Sequence, residues 1–439
     1  MIAFAHVADA QELGGANLTF NVSQTLRYTD NSGFDADGDS AFRSQTDLGF
    51  GYSSQTRSDD FSISVNSGFI LSPNDDVDTG IIEPTVRLNY RRTGKTSEFT
   101  VGGSFRSVDL DNFVVGDDEN DSDVFVLDGG TRTDINGSVG LVFGEGLPLG
   151  GSLSLSQSIR DYSDTSDPDL SDETTTRASG TLFLRFDDRI TGRLTSSWTD
   201  LDESDDVDGT DRTTITYGAG LDFLVNRTLT TGIDVTYFDI ETVESGVTTQ
   251  EDGIGLTLTA NQTLPNGSLR GRLSTEIEQN GRRDSFSVDR DYELKNGNFG
   301  WTFGGSQSEV ADFSPIYGLR YNTELVRGGN LGANLSQTYN VDADGDEEIN
   351  TNLTVSYNQA LSRVSNFSTS FSFRDNNVVS GDEADASRWD LSLRYRHNLT
   401  RDWGLVGGYT RSFATADDEA DRSSNTVFVG IDRSFGWRP

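Results

Sequence analysis

The chain has 439 residues, no cysteine, and 71 acidic against 34 basic side chains, a formal charge of -37. That charge excludes nucleic acid as a partner, and the missing thiols exclude disulfides and thiolate metal sites. Mean hydropathy is -0.50, and no run of about 18 apolar residues offers a membrane-spanning helix. A barrel wall, however, needs an apolar residue at only every second position, which keeps its average hydropathy low.

Residues 1–10 read MIAFAHVADA. Ala8-Asp9-Ala10 has the small-residue character of a leader cleavage site. The segment is expected to be a truncated signal-peptide remnant ahead of a single unit, 11–439. From Gly15 one motif repeats. Leu18, Phe20, Val22, Leu26 and Tyr28 alternate with Thr19, Asn21, Ser23, Thr25 and Arg27. The same period of two recurs at Leu48/Phe50/Tyr52, Phe61/Ile63/Val65, Val86/Leu88/Tyr90, Ile135/Val139/Leu141 and Leu182/Leu184/Phe186. It continues through Tyr217/Ala219/Leu221, Ile254/Leu256/Leu258, Leu353/Val355/Tyr357 and Trp389/Leu391/Leu393. This is the signature of strands with one apolar face. No helical period appears at any length.

Connections alternate as well. Short turns fall near Gly94, Gly144, Asp188, Asn226, Asn266, Gly297, Gly328, Ser362 and Thr400. Long acidic loops fall at 109–130, 161–173, 203–211, 342–348, 380–385 and 416–421. Tight turns on one side and long loops on the other define a transmembrane barrel. The expected fold is all-β: one antiparallel up-and-down barrel of about 22 strands, between about 20 and 24. Short turns and both termini lie in the periplasm, and the acidic loops lie outside the cell. Aromatics support two interfacial girdles: Phe186, Phe299, Trp403, Phe435 and Trp437 at the inner end, and Tyr28, Trp198, Trp389 and Phe413 at the outer. A β-propeller would show blade signatures and a parallel β-helix would show ladders. A string of sandwiches would not alternate its loop lengths.

The last strand carries Val427, Val429, Ile431, Phe435 and Trp437 on one face, broken only by Arg433. It resembles the closing strand of bacterial outer-membrane β-barrels, although Arg438-Pro439 trails the final aromatic. The whole chain from Asn17 to Trp437 resembles the broad β-barrel porin group. That resemblance implies an outer-membrane protein whose partners are lipid, lipopolysaccharide and the barrel assembly machinery, which would read this strand. TonB-dependent transporters of 22 strands carry a plug before the first strand. Strand one begins here near Asn17, so the lumen is expected to be open, or narrowed by the loop 109–130 with its apolar Val124-Phe125-Val126-Leu127.

The polar face carries the candidate pore-lining residues: Arg87, Arg91, Arg106, Arg185, Arg193, Arg270, Arg272, Arg320, Arg374, Arg394 and Arg396, with Asp222, Asp234, Glu276, Glu324 and Asp390. Rings of lumen charge set which solutes pass; alternatively these charges neutralise one another. Asp35, Asp37 and Asp39, and Asp342, Asp344 and Asp346, resemble the opening of Ca²⁺ loops but lack the glycine at position six. With only His6 and His397, no Ser/His/Asp set assembles. No enzyme activity and no cofactor are expected. The expected function is passive diffusion of ions and small hydrophilic solutes. The alternatives are an export conduit for a polysaccharide or other polymer, with a periplasmic partner, and a non-conducting surface barrel whose loops bind cations or partners.

Overall fold

In the computed structural model the apolar faces form the outside of a closed wall. The structure describes residues 15–437 apart from 33, 35, 37, 74–78, 111–129, 166–169, 205–208, 326–327, 342–346, 381–384 and 417–419. The leader reading of residues 1–10 and the loop stretch 111–129 lie outside the described residues.

The strands are β1 (Gly15–Thr29), β2 (Ala41–Gln55), β3 (Asp59–Leu71), β4 (Gly80–Thr93), β5 (Ser97–Asp109), β6 (Thr131–Phe143), β7 (Leu149–Ser163) and β8 (Asp172–Arg185). They continue as β9 (Ile190–Ser204), β10 (Thr210–Asn226), β11 (Leu229–Glu244), β12 (Val247–Leu264), β13 (Gly267–Glu278), β14 (Gly281–Leu294) and β15 (Gly297–Gln307). The last are β16 (Ser314–Leu325), β17 (Gly329–Val341), β18 (Glu347–Ala360), β19 (Ser365–Val378), β20 (Ala386–Asn398), β21 (Trp403–Ala416) and β22 (Arg422–Trp437). Each pairs antiparallel with the next, and β22 returns to β1 from Leu18↔Trp437 to Thr29↔Thr426. The expected 22-strand up-and-down barrel is the fold observed. Closure matters because an open sheet edge in hydrocarbon would leave backbone groups unpaired.

Alternation decides which face meets lipid. Val427, Val429, Ile431, Phe435 and Trp437 are all exposed on the outer face, and Phe435 lies 6.1 Å from Phe20 of β1 across the seam. Arg433 is the polar break on that face. Its guanidinium sits 5.0 Å from the Trp403 ring and 4.3 Å from the Phe435 ring, so the aromatic belt holds the cation. Phe428 breaks the opposite face. A Cβ on its register partner Gly408 would meet that ring at 2.5 Å, so the glycine makes its room.

Two outer connections are not long. β11 and β12 join through Ser245-Gly246, and β13 and β14 through Gln279-Asn280. Ser245 and Gly246 have φ of 47° and 77°, the backbone of a tight type I′ hairpin. Neither lies among the six long loops expected from the sequence. β12, at 18 residues, stands tall, whereas β15 and β16 have 11 and 12. The outer rim is therefore scalloped.

Candidate functional site: the lumen wall

Strand register brings inward side chains from separate strands into rows across the wall. In one set of rows, opposite charges flank a glycine. Gly220 of β10 faces Arg193 of β9 on one side and Asp234 of β11 on the other. Arg193 reaches over it to Asp234 at 2.7 Å, with Asp222 at 3.3 Å. Gly300 of β15 stands between Asp291 and Arg320, which approach to 3.7 Å. Across β21, Arg396 pairs with Asp432 of β22, and a Cβ on Gly404 would crowd both. A missing side chain leaves a saddle through which two long polar groups meet. These rows lie toward the periplasmic end and join Arg193, Asp222, Asp234, Arg320 and Arg396 of the expected set.

The wall from β4 to β8 is different. One row reads Arg87–Ser104–Asn136–Ser158–Thr175, each residue facing the next across adjacent strands. The row beside it reads Asn89–Gly102–Ser138–Ser156–Arg177. The arginines stand at opposite ends, on β4 and β8. Between them Asn136 donates to Ser104 Oγ at 3.4 Å, and Ser158 Oγ donates to Asn136 Oδ1 at 2.8 Å. These residues line a recess of about 590 Å³ with no acid among its lining side chains. The next row toward the outer end alternates in charge, with Arg106 facing Asp134 and Arg160 facing both Asp134 and Glu173. Arg160 lies 3.6 Å from Asp134 and 3.9 Å from Glu173. Only Arg87 of the two recess arginines was anticipated. Arg177 and the hydroxyl rows were missed, although the alternating Ser152, Ser154, Ser156 and Ser158 of β7 announce a hydroxyl face.

The remaining expected residues have local roles. Arg91 lies 3.6 Å from Glu98, and Arg272 lies 2.7 Å from Glu276. Arg185 donates to the carbonyls of Gly144 and Leu147 and clasps the β6–β7 turn. Arg270 faces Asn261 and Asp289 across its strand neighbours. Arg394 faces Ser368 and Gly408. Glu324 lies at the periplasmic end of β16, opposite Asn330. Arg374 and Asp390 are buried near the outer end: Arg374 donates to Asn352 at 2.8 Å, and Asp390 accepts from Ser412 and Arg388.

The β1–β2 connection lies over neighbouring residues of this end of the wall. Asn31 donates to the Ser423 carbonyl and accepts from Ser424 Oγ on β22, and the Phe34 ring covers Arg388 of β20 at 4.9 Å. The described part of this connection thus packs on inward-facing side chains of β20 and β22. Another buried cation was not anticipated. Arg283, at the outer end of β14, pairs with Glu278 and with Glu347 of β18, each at 2.6 Å, and stacks on Tyr339 of β17 at 4.0 Å. It bridges the notch above the short β15–β16 hairpin.

His397 shares a hydrogen bond of 2.8 Å with Ser365 at the periplasmic end. Of the calcium-like residues only Asp39 is described, where its carbonyl accepts from the Ser32 amide; the other five aspartates lie outside the described residues. Among the described residues no three His, Cys, Asp or Glu side chains gather to hold a metal.

No family model matches the chain, and no curated protein matches it in sequence. Solved structures do match. The ferric enterobactin receptor PfeA from Pseudomonas aeruginosa aligns with a TM-score of 0.59 at 9% identity, over 97% of this chain and 82% of that one. The FrpB iron transporter from Neisseria meningitidis gives 0.59 at 9%, over 95% and 81%. The siderophore receptor PirA from Acinetobacter baumannii gives 0.57 at 8%, over 98% and 81%. The chain shares the closed 22-strand barrel fold of these structures. At this identity the likeness is one of fold, but the fold is shared with receptors and an iron transporter. It corrects the expectation of a passive diffusion channel. Strand number has the same sense, since barrels of 16–18 strands leave an aqueous channel whereas 22-stranded transporters are plugged.

Proposed function

We propose that this barrel is a receptor for ligand uptake across the Gram-negative outer membrane. The ligand binds first and is then carried inward at the expense of energy supplied from the inner membrane. The observation that carries the reading is the closed 22-strand wall, the size class of plugged transporters, in the architecture of the receptors named above. Charge pairing in the lumen supports it. Arg193, Arg320 and Arg396 are each engaged by carboxylates, so these rows present little free field to a diffusing ion.

Both termini face the periplasm in this reading, because β1 and β22 are neighbours whose free ends lie beside the short turns. The energy-coupling partner is of the TonB type and acts from that side. In this reading the resting lumen is occluded, as it is in the plugged 22-stranded class. Lipid and lipopolysaccharide surround the wall, and the assembly machinery reads β22.

The test is permeability of intact cells. Cells producing the protein are expected to admit a small neutral sugar no faster than cells without it, and uptake of the bound ligand is expected to saturate and to stop when an uncoupler collapses the membrane potential. Sugar entry that rises in proportion to barrel copy number, indifferent to the uncoupler, overturns the reading.

A further inference from the structure

Among the described residues, no acidic side chain lines the recess on the β4–β8 wall. We propose that it is a binding site for an acidic oligosaccharide, a short chain of sugars bearing carboxylate or sulfate groups. The inference rests on the uptake reading and names the ligand class for it.

Three features converge. The first is shape. The two rows cross five strands, and strands lie about 4.8 Å apart, so the site is about 19 Å long and lies across the wall. Its volume of about 590 Å³ falls within the range of about 300–1,000 Å³ usual for ligand sites. An elongated ligand fits this better than a compact one.

The second is hydrogen-bonding capacity. Ser104, Ser138, Ser156, Ser158 and Thr175 each offer a hydroxyl that donates or accepts, and Asn89 and Asn136 each offer both functions at once. Such a surface matches a ligand whose edge alternates donors and acceptors, as sugar hydroxyls do. No aromatic side chain lines the recess, so sugar-ring stacking contributes nothing and charge must supply the selectivity.

The third is charge. Arg87 and Arg177 bracket the hydroxyl rows diagonally, and the nearest lumen acids, Asp134 and Glu173, are already held by Arg132 and Arg160. Arg177 makes one neutral contact, its Nε donating to Thr199 at 3.3 Å. Guanidinium groups bind carboxylate and sulfate through paired donors. In a chain of charge -37, a recess with two arginines and no acid is a local reversal of sign. The acidic loops do not cancel it, because at physiological salt the field of exposed charge decays over about 8 Å.

The experiment uses the full chain folded in detergent, with heat-modifiable migration confirming the barrel, and calorimetric titration with tetragalacturonate, maltotetraose and inorganic sulfate. Tetragalacturonate is expected to bind and neutral maltotetraose of equal length is not. Arg87→Gln and Arg177→Gln are each expected to weaken binding about tenfold or more, and the double variant to abolish it. Ser138→Leu, which fills the middle of the recess without altering charge, is expected to weaken it as well. Arg57→Gln, in the β2–β3 turn, is the unaffected control. Equal binding of the two oligosaccharides, unchanged affinity in the double variant, or sulfate alone binding as tightly as tetragalacturonate would each overturn the proposal. Because this readout is binding to purified barrel, it fails separately from the cell-uptake test.

Discussion

The walls from β4 to β8 and from β9 to β11 share one alternation and one lipid face, yet they treat arginine in opposite ways. On β9–β11 the residue between the charges is Gly220, and Arg193 closes over it onto Asp234. On β4–β8 the residues between the two arginines are serines, asparagines, a threonine and Gly102, with no acid in either row. The difference teaches how a barrel keeps a charge available. A side chain in the middle of a row holds its ends apart and supplies hydrogen bonds of its own, whereas a glycine lets the ends collapse together. One wall is thereby made mechanically stable, and the other is left open to a ligand.

Pushing the paired arrangement to its extreme gives the largest expected effect. Arg283 is buried between Glu278 and Glu347, so Arg283→Met strands two carboxylates above the β15–β16 notch. Removing one partner of a buried pair costs about 3–5 kcal/mol. Guanidinium unfolding of the barrel in lipid vesicles is expected to show a loss of that order. A loss under about 1 kcal/mol would mean that water already reaches the cluster.

The glycine saddles come next. A Cβ at Gly220 would overlap Asp234 Oδ1, so Gly220→Ala must displace the carboxylate from Arg193. A cost of about 1–2 kcal/mol is expected, discounted because the pair is partly open to the lumen. Gly102 is the counterpart in the recess row, where an added Cβ would meet only the Ser138 hydroxyl, at 2.9 Å. Gly102→Ala is expected to cost under about 0.5 kcal/mol, because that hydroxyl can rotate away and the alanine restricts the unfolded chain. Equal costs at the two glycines would erase the distinction between the walls.

These contrasts show what sequence could and could not give. Period-two alternation marked the barrel and strands such as β1, β10 and β22, because the lipid face is written locally: Leu153 and Leu155 between Ser152, Ser154 and Ser156 need no neighbour to be read. Lateral register is not local. Nothing near Arg87 in the chain marks Ser104, Asn136, Ser158 and Thr175 as its row, since that follows from four successive hairpins. The Arg193–Asp234 pair spans 41 positions and was legible only as two charges of the correct parity. The tight outer turn at Ser245-Gly246 carried its own turn dipeptide, which the sequence reading did not use. Arg283, in the run Gly281-Arg282-Arg283, gave no sign of burial, because the notch that buries it is made by strands further along.

The smallest expected effect is also the sharpest comparison. Arg193→Gln removes a cation held by two carboxylates, and a loss of about 1 kcal/mol is expected. Arg87→Gln removes a cation that no carboxylate holds in its row, and its stability is expected to stay within about 0.5 kcal/mol of the parent. Double-mutant cycles separate the two cases further. Arg193→Gln with Asp234→Asn is expected to show a coupling of about 0.5–1 kcal/mol, because these side chains touch. Arg87→Gln with Ser104→Ala is expected to show almost none. Ionic strength gives a third reading. Raising salt from about 0.1 M to about 1 M shortens the screening length from about 10 Å to about 3 Å, which should shrink the first coupling and leave the second unchanged. A substantial, salt-sensitive coupling at Arg87 would mean that this arginine serves the fold, and the recess would lose the free cation on which its ligand reading depends.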